Sequence, residues 1–462
     1  MRCLQDMRNF LLLFLGLTLA GSPSFATDDK LHASKTAGAR STGLVVTVLG
    51  TGQAEAWGQL WQYQLLKLQE PGKAPTYAQW FPPRNPGLWP TMMLTRPYDG
   101  ISWTGEAVDT KWASRGSGMY PDDSEPHYHS GSSSIVYSLS SPEYITAEAF
   151  FYLYHDFGVL AVFGRFYAGG DIQNDRDDMH AGMSFLAQAP GVDRSRIGVF
   201  GGSWGGFEAL YAAADAPAEV RPKVGVALFP LSDFARQFDY LDQVIPSRVT
   251  DPVVRDRYAT FFEPYARRII ATTGGRPGTP GADYSRWTRE HLASKLDMPF
   301  LVLHEDWDTL VPVEQTQTLA ALVGPAMTPL YFQHLQVPDW NTLPLSHGPL
   351  VEQYGHAVQT LSLGHLLTNL GSPTQYLFVP YTQSTLLAWL WEVRVLQWYG
   401  QDVAAVAPLL RELADPRVVL FELTNGNMVF GADWVAAAVN ALWGTSHTSA
   451  TIREALATGL PP

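Results

Sequence analysis

Residues 192–206 read VDRSRIGVFGGSWGG, and this stretch decides the fold class of the chain. The apolar run RIGVF at 196–200 is typical of a short buried strand, and FEALYAAADA at 207–216 has the composition of a helix. The glycine-rich turn GGSWGG joins the two. The segment is therefore predicted to be a strand, a tight turn and a helix, which is the unit from which α/β proteins are built.

The same alternation extends in both directions along the chain. An early antiparallel pair is predicted from VVTVLG and LWQYQLLKL between residues 44 and 68. Further strands are predicted at 90–100, 157–165, 223–230, 298–308, 330–337, 375–379 and 418–423, and helices at 175–189 and 313–323. Strands that are regularly separated by helices predict a doubly wound, mostly parallel sheet with right-handed crossovers.

The alternation stops from residue 231 to residue 297, where the sequence is mostly helical and rich in aromatic residues. We interpret this region as a helical cap inserted into the sheet domain. The predicted organisation is a signal peptide at 1–26, a first core part at 27–230, the cap at 231–297, a second core part at 298–400 and a C-terminal α/β extension at 401–462.

The first 26 residues have the pattern of a secretory signal peptide. Arg2 and Arg8 precede an apolar run from Phe10 to Gly21, and Ser24 and Ala26 form a small-x-small cleavage site. We expect cleavage after Ala26 and a secreted, periplasmic or extracellular protein. The apolar run is too short to cross a bilayer as a helix, and no later run is longer, so no membrane association is expected after cleavage.

Charge and cysteine content exclude several classes of function. The formal net charge is −13, which argues against nucleic acid as a partner. The single cysteine, Cys3, lies in the predicted signal peptide, so the mature protein has no disulfide, no thiol nucleophile and no cysteine metal site. A hydrophobic content of 46% argues against a disordered chain.

The turn between strand and helix carries the candidate nucleophile. Ser203 is flanked by glycines at 201, 202, 205 and 206. A nucleophile elbow requires such glycines, because the serine lies in a strained turn and residues without a side chain let neighbouring backbone segments approach it closely. The alternative is a glycine-rich turn that binds a phosphate at the helix N-terminus, or that binds nothing.

The stretch 192–206 resembles the nucleophile segment of prolyl-oligopeptidase-like hydrolases and of their X-Pro dipeptidyl-peptidase and cocaine-esterase relatives. In that group a motif of the form HGxxDxxVP follows a strand, and residues 304–312 read HEDWDTLVP. The resemblance makes Asp308 the acid of a catalytic triad. Glu305 replaces the usual glycine, and Asp306 is the alternative acid.

The resemblance implies an α/β-hydrolase fold and a serine hydrolase, either an esterase or a peptidase, that requires no cofactor and no metal. In such a fold the triad follows the chain order Ser, acid, His, so the base lies after Asp308. The candidates are His334, His347, His356, His365 and His447. His347, in the segment LSHGP, is similar to the histidine segment of the family and is preferred, with His365 next.

Two N–H or O–H donors are needed to stabilise the oxyanion that forms during acyl transfer. The backbone N–H of Trp204 is one by position, and the resemblance of TRPYDG at 95–100 to the family's Pro-Tyr segment suggests Tyr98 as the second. The expected activity is hydrolysis of a small ester or a short peptide through an acyl-enzyme on Ser203. The competing hypothesis is a binding protein that retains the hydrolase fold with a degraded site.

Overall fold

The computed structural model describes most of the region between residues 43 and 332 and several shorter pieces. The continuous ranges are 43–56, 59–97, 156–166, 170–306 and 308–332; the remaining described positions are 102–103, 108–109, 149, 152–153, 340–341, 347, 362, 365–366, 369–371, 436, 440, 446–451 and 454. The predicted signal peptide, Tyr98, His334 and His356 lie outside the described residues, as do the predicted strands at 375–379 and 418–423.

The described strands form one large sheet and one small hairpin. The strands are β1 (Val45–Ala56), β2 (Gln59–Gln69), β3 (Thr76–Phe81), β4 (Trp89–Arg96), β5 (Ser102–Trp103), β6 (Val108–Asp109), β7 (Gly158–Phe163), β8 (Val192–Gly202), β9 (Val224–Leu228), β10 (Phe300–Glu305) and β11 (Met327–Phe332). The large sheet has the order β1-β2-β3-β7-β4-β8-β9-β10-β11, and β5 pairs with β6. Strands β1, β2, β3 and β7 are joined by antiparallel pairings, whereas all pairings from β7 to β11 are parallel.

Three of the parallel strands are buried along their whole length. Every residue of β7, β9 and β10 is buried, as is expected of parallel strands that are covered on both faces. Strand β10 ends on two ionisable residues, His304 and Glu305, which are also buried. Because the carboxyl ends of parallel strands meet at one edge of a sheet, the segments that follow β8, β9 and β10 lie together there.

Helices connect these strands. They are α1 (Ile172–Leu186), α2 (Trp204–Ala214), α3 (Phe234–Asp239), α4 (Ile245–Arg248), α5 (Pro252–Thr273), α6 (Arg289–Ala293) and α7 (Glu314–Val323), with a π-helical turn between α3 and α4. All eleven residues of α2 are buried, so this helix lies inside the domain. Helices α3 to α6 fall between β9 and β10, in the region where a helical cap is predicted.

The predicted α/β-hydrolase fold is confirmed by this mostly parallel sheet with helices. The early antiparallel pair and the strands around residues 90–100, 157–165, 196–200, 223–230 and 298–308 are present, with boundaries that differ by a few residues. Strand β3 was not among the predicted strands, because TYAQWF is short and follows the polar turn at 71–74. Among the described residues, no helix is long and apolar enough to cross a bilayer.

Candidate active site

The backbone of Ser203 is held in a strained conformation between β8 and α2. Its φ is +56° and its ψ is −119°, in a region that residues with a side chain rarely adopt. The Ser203 N–H donates to the carbonyl oxygen of Leu228 at the end of β9, at 2.8 Å. The sharp turn therefore places the serine at the carboxyl edge of the sheet, where a nucleophile elbow is expected.

The glycines around the turn permit close contacts between backbone segments. A β-carbon at Gly201 would overlap both the carbonyl oxygen of Gly205 and the hydroxyl of Thr95. That hydroxyl lies 2.7 Å from the Gly205 carbonyl oxygen and donates a hydrogen bond to it. The turn is thus tied to the end of β4, and there is no room for a side chain at position 201.

The hydroxyl of Ser203 points to His347 instead of capping helix α2. Its Oγ lies 2.6 Å from the Nε2 of His347, whereas no capping bond from the side chain to the helix is formed. The edge of the Phe229 ring packs against the imidazole, with ring centroids 4.9 Å apart and an interplanar angle of 78°. The serine is therefore within hydrogen-bonding reach of a base whose ring is packed in place.

The other ring nitrogen of His347 is held by Asp308. The distance from Nδ1 to the Asp308 Oδ2 is 2.7 Å, and the Asp308 side chain is fully buried. The second carboxylate oxygen accepts the backbone N–H groups of Leu310 and Val311 at 2.9 and 2.8 Å. This geometry makes Nδ1 the donor to the carboxylate and leaves Nε2 to accept the serine proton.

The charge of Asp308 is stabilised in spite of its burial. Burial alone would raise the pKa of this carboxyl, but attraction to His347 and hydrogen bonds to the carboxylate outweigh it and hold the pKa at about 2. Asp308 is therefore an anion at neutral pH. It can fix the tautomer of His347 and balance the charge of an imidazolium.

A second histidine, His304, supports the acid from the end of β10. Its Nδ1 lies 2.7 Å from the Thr316 hydroxyl, and its Nε2 lies 2.9 Å from the carbonyl oxygen of Val311. A carbonyl can only accept, so Nε2 carries the hydrogen and Nδ1 accepts from the hydroxyl. His304 was not among the candidate bases because it precedes Asp308, and both of its nitrogens serve to fix the loop around the acid.

Trp204 follows the serine and opens helix α2, so its backbone N–H lies at the positive end of the helix dipole. Its indole N–H donates to Asp175 on α1 at 2.5 Å, and its ring stacks on Phe166 with centroids 4.0 Å apart. Asp175 also accepts the backbone N–H of Phe166 at 2.7 Å. A single buried carboxyl on α1 therefore anchors both aromatic residues next to the serine, a contact that no sequence motif indicates.

The acids beneath Trp204 form a buried cluster of Asp175, Asp178 and Glu208. Burial raises the pKa of Asp175 to about 6 and that of Asp178 to about 7, although Asp178 is paired with Arg165 at 2.8 Å. Burial and repulsion from the two aspartates raise the pKa of Glu208 well above its usual range. Both effects favour the neutral form of the Glu208 carboxyl.

Among the described residues, one set of acids and histidines is close enough to hold a metal ion, namely Glu305, Asp308 and His347. A carboxylate oxygen of each acid and a ring nitrogen of the histidine lie within 4.8 Å of one another. The Asp308 Oδ2 and the His347 Nδ1 are already hydrogen-bonded to each other, so these two atoms do not point to a common metal position. We assign the set to the hydrogen-bonded chain that begins at Ser203.

The structure separates the preferred histidine from the other described candidates. His365 is buried, and its imidazole donates to the carbonyl oxygen of Pro299, just before the first residue of β10. Ser203 lies at the opposite, carboxyl edge of the sheet, and the six residues of β10 that separate the two edges span about 20 Å. Burial lowers the pKa of His365 to about 4. His447 is bonded through its backbone to the side chain of Asn440.

Of the predicted site residues, Ser203, Trp204, Asp308 and His347 are therefore together, and the fifth, Tyr98, lies outside the described residues. Asp306, the alternative acid, is exposed. In the sequence, Glu305 is visible only as a departure from the family motif. Glu305 lies within 4.8 Å of Asp308 and His347 because it is the last residue of β10, which ends at the site.

Part of the chain matches a known protein family. Residues 168–333 match the model of the prolyl oligopeptidase family, which confirms the predicted resemblance over the segment from α1 to β11. No curated protein matches the chain in sequence.

Similar solved structures include peptidases and esterases. A Mycobacterium tuberculosis puromycin-hydrolyzing peptidase is 18% identical, covers 71% of this chain and has a TM-score of 0.41. A Pyrococcus furiosus esterase is 14% identical over 68% of this chain with a TM-score of 0.42, and a Paenibacillus acetyl xylan esterase is 15% identical over 72% with a TM-score of 0.39. The chain spans 46% of the length of the peptidase, and 92% and 90% of the two esterases.

Proposed function

We propose that the chain is a serine hydrolase that cleaves an ester or a peptide bond through Ser203, His347 and Asp308, and the match of residues 168–333 to the model of the prolyl oligopeptidase family supports this proposal. The observation that carries the proposal is the continuous hydrogen-bonded chain of 2.6 Å from Ser203 to His347 and 2.7 Å from His347 to Asp308. A glycine-rich turn that only bound phosphate would not need a histidine and a buried acid in this order.

In the first step the Ser203 Oγ forms a bond to the carbonyl carbon of the substrate, and its proton passes to the Nε2 of His347. The π electrons of the carbonyl move to its oxygen, and the resulting anion is stabilised by the backbone N–H of Trp204. Asp308 stabilises the imidazolium by its negative charge. Tyr98 is the second oxyanion donor in this proposal, on the basis of its sequence motif.

The tetrahedral intermediate then collapses to an acyl-enzyme. The bond from the carbonyl carbon to the leaving oxygen or nitrogen breaks, and the leaving group takes the electron pair together with the proton on His347. Water next loses a proton to the same nitrogen and attacks the acyl carbon. Breaking the bond to the Ser203 Oγ returns the proton to the serine and releases the acid.

The experiment that tests the proposal is covalent labelling with a fluorophosphonate probe. Purified wild-type protein is expected to label at Ser203, and the Ser203→Ala variant to lose the label while it melts at the same temperature. Ser195→Ala, which removes an exposed serine on β8, is the matched control and is expected to label fully. A folded wild-type protein that does not label would favour the hydrolase-fold binding protein.

Labelling does not distinguish esters from peptides, so a substrate screen follows. We expect p-nitrophenyl esters or short X-Pro peptide amides to be hydrolysed by wild-type protein and not by Ser203→Ala. Removal of the Ser203 hydroxyl is expected to lower kcat by about 10⁶-fold on the active class. A residual activity that is equal in both proteins would mean that another group performs the reaction.

A further inference from the structure

Glu305 stands out among the residues of the site because it is a buried acid that the proposed mechanism does not use. It is the last residue of β10, pairs with Phe332 in the register of β11, and has only 1% of its surface exposed. In the motif HEDWDTLVP it takes the place of the glycine found in similar hydrolases. A buried carboxyl group at this position therefore requires a physical explanation.

The neighbours of Glu305 supply that explanation. One of its carboxylate oxygens, one from Asp308 and a ring nitrogen of His347 all lie within 4.8 Å of one another. At such distances a carboxylate attracts an imidazolium, even at the effective dielectric constant of about 20 that describes charge pairs in proteins. Two acids thus lie against one imidazole, where the Ser-His-Asp arrangement needs only one.

We propose that Glu305 is a positioning residue that acts through His347, as a second negative group that stabilises the imidazolium formed when His347 takes the serine proton. The proposal rests on the proposed function, because it assigns a role within the same site. Glu305 touches neither substrate nor Ser203 in this role. Its negative charge favours the imidazolium, so removal of that charge changes the pH above which His347 acts as a base.

The imidazole of His347 already faces one anion. Asp308 is held as an anion with a pKa of about 2, and its carboxylate accepts bonds from both His347 and the backbone. Glu305 brings a second carboxyl group within 4.8 Å of the same pair.

Other titratable groups surround the pair of His347 and Asp308, and all of them are retained in the Glu305 variants proposed below. They are His304 on β10, Asp306 in the following turn, Tyr331 on β11, Tyr240 between α3 and α4, and Glu314 on α7. His304 is hydrogen-bonded through both nitrogens to neutral groups, and its Nε2 also lies 3.6 Å from the Asp308 Oδ2. Tyr240 donates to the Thr309 carbonyl oxygen at 3.1 Å.

The test is the rate of fluorophosphonate labelling as a function of pH for wild type and Glu305→Gln, which keeps the shape of the side chain and removes its charge. We expect the acid-side midpoint of the Glu305→Gln profile to move down by roughly one pH unit. Asp306→Asn is the matched control, since it removes a neighbouring but exposed carboxyl, and its profile should coincide with that of wild type.

Two further variants separate charge from structure. Glu305→Asp retains the charge and is expected to retain the wild-type midpoint even where its rate is lower. If Glu305→Gln does not fold, Glu305→Gly removes the same charge and is expected to show the same downward shift. A midpoint within 0.2 pH units of wild type, roughly the precision of such a profile, in a folded charge-free variant would overturn the inference.

The outcome also distinguishes this inference from the proposed function. A wild-type protein that does not label would mean that the proposed function has failed. A wild-type protein that labels, together with an unshifted Glu305→Gln profile, would mean that Ser203 is activated without help from Glu305. A parallel shift in Asp306→Asn would equally overturn the inference, because the effect would then come from general surface charge.

Discussion

The Nε2 of His347 lies 2.6 Å from the Oγ of Ser203, although the two residues are 144 positions apart in the chain. Ser203 follows β8 directly, while His347 lies beyond β11, the edge strand of the sheet. Parallel strands bring both to the same edge, since each segment leaves its strand at the carboxyl end. This contact is the basis for the first two predictions.

The first prediction concerns the choice of the base. We expect His347→Ala to lower the fluorophosphonate labelling rate by at least about 10³-fold, because Ser203 then has no proton acceptor. His365→Ala should label at the wild-type rate, because His365 lies at the opposite edge of the sheet. Labelling time courses together with thermal melts check both variants. Loss of labelling in a well-folded His365→Ala protein would contradict the assignment.

The second prediction concerns the acid. Asp308→Asn keeps the shape of the side chain but cannot hold the His347 tautomer by its charge, so we expect kcat to fall by about 10⁴-fold. Asp306→Asn is expected to stay within a factor of two or so of wild type, because its side chain is exposed. Steady-state kinetics on the best substrate of the screen compares them. Equal losses in the two variants would point to a nonspecific electrostatic effect.

The third prediction concerns the tight turn before the serine. In Gly201→Ala the new methyl group overlaps the Gly205 carbonyl oxygen and the Thr95 hydroxyl, which are bonded to each other. We expect the free energy of unfolding to fall by about 2 kcal/mol or more, measured by urea denaturation. Gly278→Ala meets no atom but has a φ of +75°, so it should cost about 1 kcal/mol. A larger loss at Gly278 would contradict this ranking.

The fourth prediction concerns the pH dependence of stability. The pKa of Glu208 is raised in the folded protein, so its contribution is fully present below its ordinary pKa of 4.5 and is lost as the pH rises. Glu208→Gln has no titrating carboxyl at this position, so its free energy of unfolding should fall less than that of wild type between about pH 5 and pH 8. The difference in slope cannot exceed about 1.4 kcal/mol per pH unit for one site.

Urea denaturation across this pH range checks the fourth prediction. Some decline should remain in Glu208→Gln, because the pKa values of Asp175 and Asp178 are raised to about 6 and about 7. Glu219→Gln removes an exposed carboxyl and serves as the control, with the wild-type slope expected. A steeper decline in Glu208→Gln than in wild type would show that Glu208 is charged in the fold.

The fifth prediction concerns export. The full chain expressed in a bacterial host is expected to appear outside the cytoplasm with Thr27 as its first residue, as N-terminal sequencing of the fractionated protein would show. Leu13→Arg places a charge in the middle of the apolar run and should leave the protein uncleaved in the cytoplasm. Cleaved protein in that variant would contradict the signal-peptide assignment.

Local sequence was enough to predict much of the fold and the participants of the site. The strand, glycine-rich turn and helix at 192–216 are local features, since an apolar run, a glycine-rich turn and a helix-forming run each depend on adjacent residues. The HEDWDTLVP motif likewise indicated Asp308, through its resemblance to the motif of the family. Strand β3 was missed because its six residues have no distinctive periodicity.

Contacts between residues that are distant in the chain could be identified only from the tertiary structure. Sequence left His347 and His365 as alternatives because both lie in Gly-His or His-Gly pairs after the acid, and the edge of the sheet at which a residue emerges is not a local property. For the same reason, the sequence did not predict that Asp175 anchors Trp204 or that Glu305 lies near His347. The sequence by itself determined which chemical groups are present and the elements that carry them. Only the packing of parallel strands, which brings distant carboxyl ends to one edge, decided which of those groups meet.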